Sequence, residues 1–301
     1  QVKPVWTVPL IVGITHNTMV YSGGMDTARK KIDSCISAVN EKINDAKAFA
    51  GKLNFRVDSL YSFTTSCSLQ ISSSYPEKYM LRLIMDGYSD VNVGYWSGSR
   101  ATAYKAVEAG KFLNDLSVSA IAWQFALSRG AVPSSYMLVP SSGNPINGKA
   151  FTGQPAFMYY PYSRTDWDTY NVYAINHYRD SRIPDDVPCI KGYPASVGIV
   201  TQSADSTPVG GAKISLYGVK WNSGVVSDTL LDTITDGSGS FVSKDYLYNP
   251  DNWGNTPYCN ILIRAVSGPD TAYCWLPLNE IGIAYFDNPE QDFRKVIRFS
   301  R

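Results

Sequence analysis

Two domains of different class are expected in this chain: an α+β domain over residues 1–185 and an all-β sandwich over 190–301. Three observations predict this. The chain has 301 residues, more than one hydrophobic core usually organises. Its first half mixes strand-like and helix-like periods, whereas its last third holds only short strand-like runs. Between the two lies Ile183-Pro184-Asp185-Asp186-Val187-Pro188, where prolines break helix and ladder alike.

In chain order, Val5 to Thr15 reads as a strand with Leu10-Ile11-Val12-Gly13-Ile14 as its apolar run, interrupted by Pro9. His16 is assigned to that strand. Asp26 opens a long helix to about Ala50. Ala28, Ile32, Cys35, Ile36, Val39 and Ile43 recur on one side, with Arg29, Lys30, Asp33, Asn40 and Glu41 on the other. That is an amphipathic helix lying on a sheet, with Gly51 as its stop. Strands follow at Asn54 to Thr64, Leu69 to Ser73, Tyr79 to Met85 and Asp90 to Trp96. In the first of these, Phe55, Val57, Ser59, Tyr61 and Phe63 alternate with polar residues, as a half-buried strand requires.

Asn114 to Arg129 is apolar nearly all round, so this helix is expected to be buried on several sides. Gly130 and a Pro/Ser/Gly/Asn-rich loop come next, then Pro155-Ala156-Phe157-Met158-Tyr159-Tyr160-Pro161-Tyr162, then a closing helix from Asp168 to Tyr178. This order resembles the centre of a metzincin zinc peptidase, where a helix H-E-x-x-H-x-x-G-x-x-H precedes a turn carrying a methionine. In the same frame this chain has Trp123, Gln124, Leu127, Gly130 and Pro133, and Met158 takes the place of the turn methionine. The resemblance covers residues 1 to about 185 and implies a zincin-like mixed sheet with a long helix and a buried former active-site helix.

The chemistry of that motif is missing. Neither Trp123 nor Leu127 has a lone pair for zinc, and the neutral amide of Gln124 cannot take a proton from an attacking water. Pro133 has no ligand atom either. The whole chain holds two histidines, His16 and His177, so a three-histidine site is arithmetically excluded. No metal, cofactor or catalytic residue is therefore expected, and the domain is expected not to be an enzyme.

Beyond the linker, seven short strand-like segments separated by turn residues suit a small sandwich: Ala195–Thr201, Gly211–Val219, Asp228–Asp236, Gly239–Tyr246, Asn260–Val266, Thr271–Leu276 and Arg294–Phe299. Pro208 to Tyr217, followed by Thr235-Asp236-Gly237-Ser238-Gly239-Ser240-Phe241, resembles the carboxypeptidase-regulatory-like, or transthyretin-like, β-sandwich family. Such modules act as spacers or binding surfaces on secreted enzymes.

Composition excludes several classes of function. The formal charge is +1, with 27 basic against 26 acidic residues and no Lys/Arg cluster, so nucleic acid has no electrostatic footprint to meet. No apolar run approaches the ~18 residues a membrane span needs. Phosphate-binding glycine loops and a nucleophile elbow are absent too. Asp166 and Asp168 lie close in sequence but read as solvated turn residues rather than a glycosidase pair. A Gln at position 1 fits a mature exported chain as well as it fits an excised piece. Low charge with 21 tyrosines and abundant Ser, Gly and Asn is common in secreted proteins. The five cysteines show no metal spacing; Cys35 with Cys67 and Cys259 with Cys274 are candidate disulfides, and buried thiols are the other reading.

The expected function is that of a secreted, non-catalytic pseudopeptidase reused as a structural or self-assembling subunit at the cell surface. Its expected partners are copies of itself or another extracellular protein, with the N-terminal strand before Gly13 as the element that adds to a neighbour's sheet. The alternative is a carbohydrate- or peptide-binding module in the remnant cleft, using Tyr159, Tyr160, Tyr162, Trp167 and Tyr170.

Overall fold

The computed structural model describes residues 3–64, 81–85, 94–97, 105–109, 118–131, 138–152, 156–158, 165–178, 194–220, 224–243 and 258–301. The chain is a mixed α/β protein with several sheets, in two compact units. The first comprises Gln1–Pro133 and Pro155–Asp186, and the second Ser134–Gln154 and Val187–Arg301.

In the first unit, β1 (Val5–Thr15) lies between β2 (Lys52–Phe63) and β3 (Leu81–Met85), and β5 (Lys105–Ala109) and β4 (Gly94–Ser97) complete a five-stranded sheet ordered β2-β1-β3-β5-β4. All pairings are parallel except that of β4 with β5 at the edge. Pro9 fits a near-central strand because of where the ladders begin. Lys52 donates to the Pro4 carbonyl, so by alternation Pro9 turns its nitrogen away from β2, and the β3 ladder starts only at Leu10. From Leu10 to Ile14 β1 is paired on both sides, while among the described residues Val5–Pro9 pairs with β2 alone.

Two helices follow β1. Thr15 caps α1 (His16–Tyr21), its side chain accepting from the Thr18 amide at 3.2 Å. His16 is therefore the exposed first residue of a helix and not part of the strand. Next, α2 (Met25–Asn44) buries Ala28, Ile32, Ile36, Val39 and Ile43 against Leu10, Val12, Ile14, Leu53, Phe55 and Val57. Each large aliphatic side chain so buried contributes about 1.5–3 kcal/mol. The helix stops at Asn44, six residues short of the expected end. Gly51 has another role, since a Cβ there would sit 2.4 Å from the Trp6 indole.

Asparagines explain the early stop. In a parallel strand the N–H and C=O of one residue point to the same side, and those of Leu53 and Phe55 point away from β1. Asn40 accepts from the Phe55 amide at 2.8 Å and donates to its carbonyl at 2.9 Å. One turn on, Asn44 does the same for Leu53, at 3.0 and 2.8 Å, and Arg29 donates to the Val57 carbonyl at 2.8 Å. One helix thus covers a face of the sheet and meets the outward edge of β2 from Leu53 to Val57.

The second unit holds two sheets. One is antiparallel, ordered β11-β10-β7-β8, from β7 (Lys213–Lys220), β8 (Gly224–Ile234), β10 (Tyr258–Ser267) and β11 (Asp270–Pro277). The other, β12-β6-β9, joins β6 (Val197–Gln202) antiparallel to β9 (Ser240–Ser243) and parallel to β12 (Phe293–Arg298). All seven expected strands are present, and α5 (Leu278–Asp287) is an addition. Residues 134–154, placed by sequence in the first domain, cluster with this unit. Val139 and Phe151 form a β-bridge, and together with Ile146 they cover Tyr217, Val219, Val225, Leu262 and Trp275.

The asparagine clamp is testable by equilibrium denaturation. Asn40→Ala and Asn44→Ala should each lower stability by about 1–2 kcal/mol, because each leaves one backbone donor and one acceptor of β2 without its amide partner. Values within noise of the parent protein would show that water replaces the amides at no cost.

Candidate functional site

The site frame is set by α3 (Val118–Leu127) and the turn at Ala156–Met158. As expected of an all-round apolar helix, α3 is buried on several sides, with Ile121, Ala122, Phe125 and Ala126 inside. The Phe125 ring lies 4.6 Å from that of Phe55 on β2. Trp123 and Leu127, one turn apart, form its less buried face, while Gln124 is buried.

Gly130 closes the helix. Its φ is +90°, and two hydrogen bonds, from the Ala131 amide to the Ala126 carbonyl and from the Gly130 amide to the Leu127 carbonyl, both at 3.1 Å, make a Schellman cap. A glycine is needed there by backbone geometry alone. Pro133 lies outside the described residues.

Met158 is fully buried in the same core cluster as α3. The Trp123 indole Nε1 donates to the Met158 carbonyl at 3.3 Å. Trp123 on the helix is thus joined directly to the turn at Met158. Phe157 donates its amide to the Asp166 carbonyl at 2.6 Å, pinning the turn.

Of the aromatic patch, Trp167 and Tyr170 are described, while Tyr159, Tyr160 and Tyr162 lie outside the described residues. Trp167 stacks on Phe157 with centroids 4.2 Å apart, meets Phe49 edge-on at 4.9 Å, and donates to the Ile43 carbonyl at 3.1 Å. Tyr170 is buried. The described part of the patch packs inward.

Asp168 caps α4 (Thr169–Tyr178). Its carboxylate accepts from the Asn171 amide at 2.9 Å and from the Asn171 side chain at 2.7 Å. Burial raises its pKa above the usual carboxylate range, against the lowering effect of those hydrogen bonds. It is a half-buried cap, not the solvated turn residue expected. His177 lies exposed in the last turn of α4.

Cys35 and Cys274 are free thiols, so neither candidate disulfide is formed here. Cys67 lies outside the described residues; Cys259 is on β10. The sequence pairing rested on nearness along the chain, whereas Cys35 is held on α2 half-buried beside the core. Burial pushes its thiol up to about 11, and Cys274 is raised for the same reason. Among the described residues no three His, Cys, Asp or Glu side chains gather as a metal-binding group, and no helix is long and apolar enough to cross a membrane.

No family model and no curated protein matches the chain. Solved structures resemble it weakly. A chaperone–substrate complex is 11% identical with a TM-score of 0.37, covering 59% of this chain and 35% of its own. Catechol 1,2-dioxygenase from Acinetobacter sp. ADP1, inhibited by bound mercury, is 10% identical with a TM-score of 0.22, covering 37% and 54%. The chain thus spans about a third and about half of their lengths.

Two predictions follow from this geometry. Asp168→Ala should cost about 1 kcal/mol in thermal or chemical unfolding, as loss of a cap does, whereas Asp168→Asn keeps an acceptor and sheds the buried charge. A raised folded pKa means that the parent protein loses stability as pH rises from the unfolded carboxylate value through the folded one. The Asn variant should flatten that slope. Second, with a pKa near 11, Cys35 is a thiolate in roughly one molecule per thousand at pH 8. It should resist iodoacetamide in the native state and react on unfolding, as read by peptide mass spectrometry. Rapid native labelling, or a Cys35 disulfide, would contradict the geometry.

Proposed function

We propose that the first unit is a metzincin-like peptidase domain without its metal, serving as a secreted, non-catalytic structural or self-assembling subunit. The observation that carries this is the 3.3 Å hydrogen bond from the Trp123 indole to the Met158 carbonyl. A helix and a methionine turn adjoin in the order the family uses, and an indole spans the gap where a ligand would reach a metal. The strand–helix–sheet order before α3 supports the same frame.

The chemistry of the replacements argues against catalysis. Trp123 and Leu127 offer zinc no lone pair, and Gln124, in the glutamate position, is no base. Assembly is favoured over glycan or peptide capture because Trp167 and Tyr170 are used in packing. Secretion rests on the low-charge, Tyr- and Ser-rich composition alone. The second unit, with its two sheets of short strands, fits a transthyretin-like module as spacer or contact surface.

Two measurements test this. Native protein should carry no stoichiometric zinc and should sediment above its monomer mass in a concentration-dependent way. The variant Trp123→His, Gln124→Glu, Leu127→His, Pro133→His should then bind one zinc, with dissociation constant and stoichiometry read by calorimetry. Stoichiometric zinc in the parent protein sinks the loss of the site. A refolded four-site variant that ignores zinc sinks the metzincin frame.

A further inference from the structure

One face of the four-stranded sheet in the second unit is dry, with Ile214, Leu216, Ile261 and Ile263 fully buried. The opposite face is divided in two. Over one half lies the segment 138–152, where Val139, Ile146 and Phe151 pack on Tyr217, Leu262 and Trp275. Opposed residues of an antiparallel ladder share a face, so the pairings carry that face on into a row across all four strands. The row runs from Tyr273 on β11 through Arg264 on β10 and Ser215 on β7 to Asp232 on β8. Tyr273 is 37% exposed, Asp232 is exposed, and Arg264 and Ser215 are half-buried.

Arg264 is the residue of this row that the fold does not explain. Its Nε is sealed from water without a hydrogen-bond partner, and the side chain makes no ion pair with any described residue. A sealed donor without an acceptor is unfavourable, and more so on a charged group. The carboxylate of the row, Asp232, stands two strands away, about 9.5 Å by strand spacing. It is engaged locally, since the Ser215 and Thr229 hydroxyls hold it below the usual carboxylate range. Lys213, exposed and two residues before Ser215 on the same face, adds a second positive charge. The row thus offers an unmatched cation at one end, a hydroxyl in the middle and a hydrogen-bond acceptor at the other end.

We propose that this half-face binds a uronic acid residue of an acidic polysaccharide. A carboxylate matches the planar fork of Arg264, whose terminal nitrogens are not sealed as its Nε is. The sugar ring supplies what the rest of the row calls for. Its hydroxyls donate to Asp232 and to Ser215, and its C–H face lies against the Tyr273 ring. An acidic peptide is the poorer match, because extended peptides add to a sheet edge and helices lie in grooves. This row lies on the flat of the sheet instead. The inference does not rest on the assembly reading and gives the second unit a ligand of its own.

The test is calorimetric titration of the full chain with trigalacturonate and, beside it, neutral galactotriose. The acid should bind one per chain, and the neutral sugar about tenfold more weakly or less. Arg264→Met keeps the aliphatic packing and removes the charge, and should weaken the acid by about tenfold or more. Arg264→Lys, with the charge but not the fork, should fall between. Thermal melts separate a ligand site from a structural one. Because the guanidinium has no partner to lose, Arg264→Met should melt no lower than the parent protein, and trigalacturonate should raise the melting temperature of the parent alone. No binding by the parent, equal binding of both sugars, unchanged binding by Arg264→Met, or a lower melt for that variant each overturns the inference. So does a hexaglutamate peptide or a sulfated galactose oligomer that binds as tightly as the uronate.

Discussion

The burial of β1 on both faces is the constraint on which the first unit depends. Leu10, Ile11, Val12 and Ile14 are all within 1% of complete burial, so the strand needs cover above, below and on each side. Its sides are taken by β2 and β3, and one face by α2. Once α2 is laid there, its polar side is committed too. Asn40 and Asn44, spaced one turn apart, reach the outward amides and carbonyls of β2, which lie two residues apart. Helical rise and strand rise nearly match at that spacing, about 6 Å against about 6.6 Å. The clamp is a consequence of that near-match.

Much of this was legible because period and burial agree wherever one face is dry. The steps from Ala28 to Ile43 marked the inward face of α2, and alternation from Phe55 marked β2. The failures have physical causes. Lys105-Ala106-Val107-Glu108-Ala109 is built of good helix formers, yet pairing with β3 and β4 makes it a strand. The loop rich in Pro, Ser, Gly and Asn after residue 133 read as a mere connection. Its three apolar residues, Val139, Ile146 and Phe151, are what fasten it to the second unit. An irregular segment carries no period, so its burial could not be read.

For the candidate site, sequence order singled out a helix and a turn that a hydrogen bond joins, but misjudged what each residue does. Gly130 was the surviving motif residue, yet the Schellman cap accounts for it without any ancestry. Trp123, first noted for the ligand it lacks, is the residue that links helix to turn. A side chain's reach across 35 positions of sequence is a tertiary fact with no local signature. The aromatic patch misled for a similar reason. Trp and Tyr offer both a flat face and a polar tip, and only packing decides whether the face meets a ligand or, as with Trp167 and Phe157, another ring.

The two units also differ in how they treat unpaired backbone. An exposed ladder invites another strand unless something opposes it. In the first unit that opposition comes from asparagines, whose amide groups imitate a neighbouring strand while ending the ladder, since a side chain presents no further edge. In the second unit β8 meets no such imitation among the described residues. There the exposed carboxylates Asp228 and Asp232 and two irregularities in the ladder with β7 oppose a further strand.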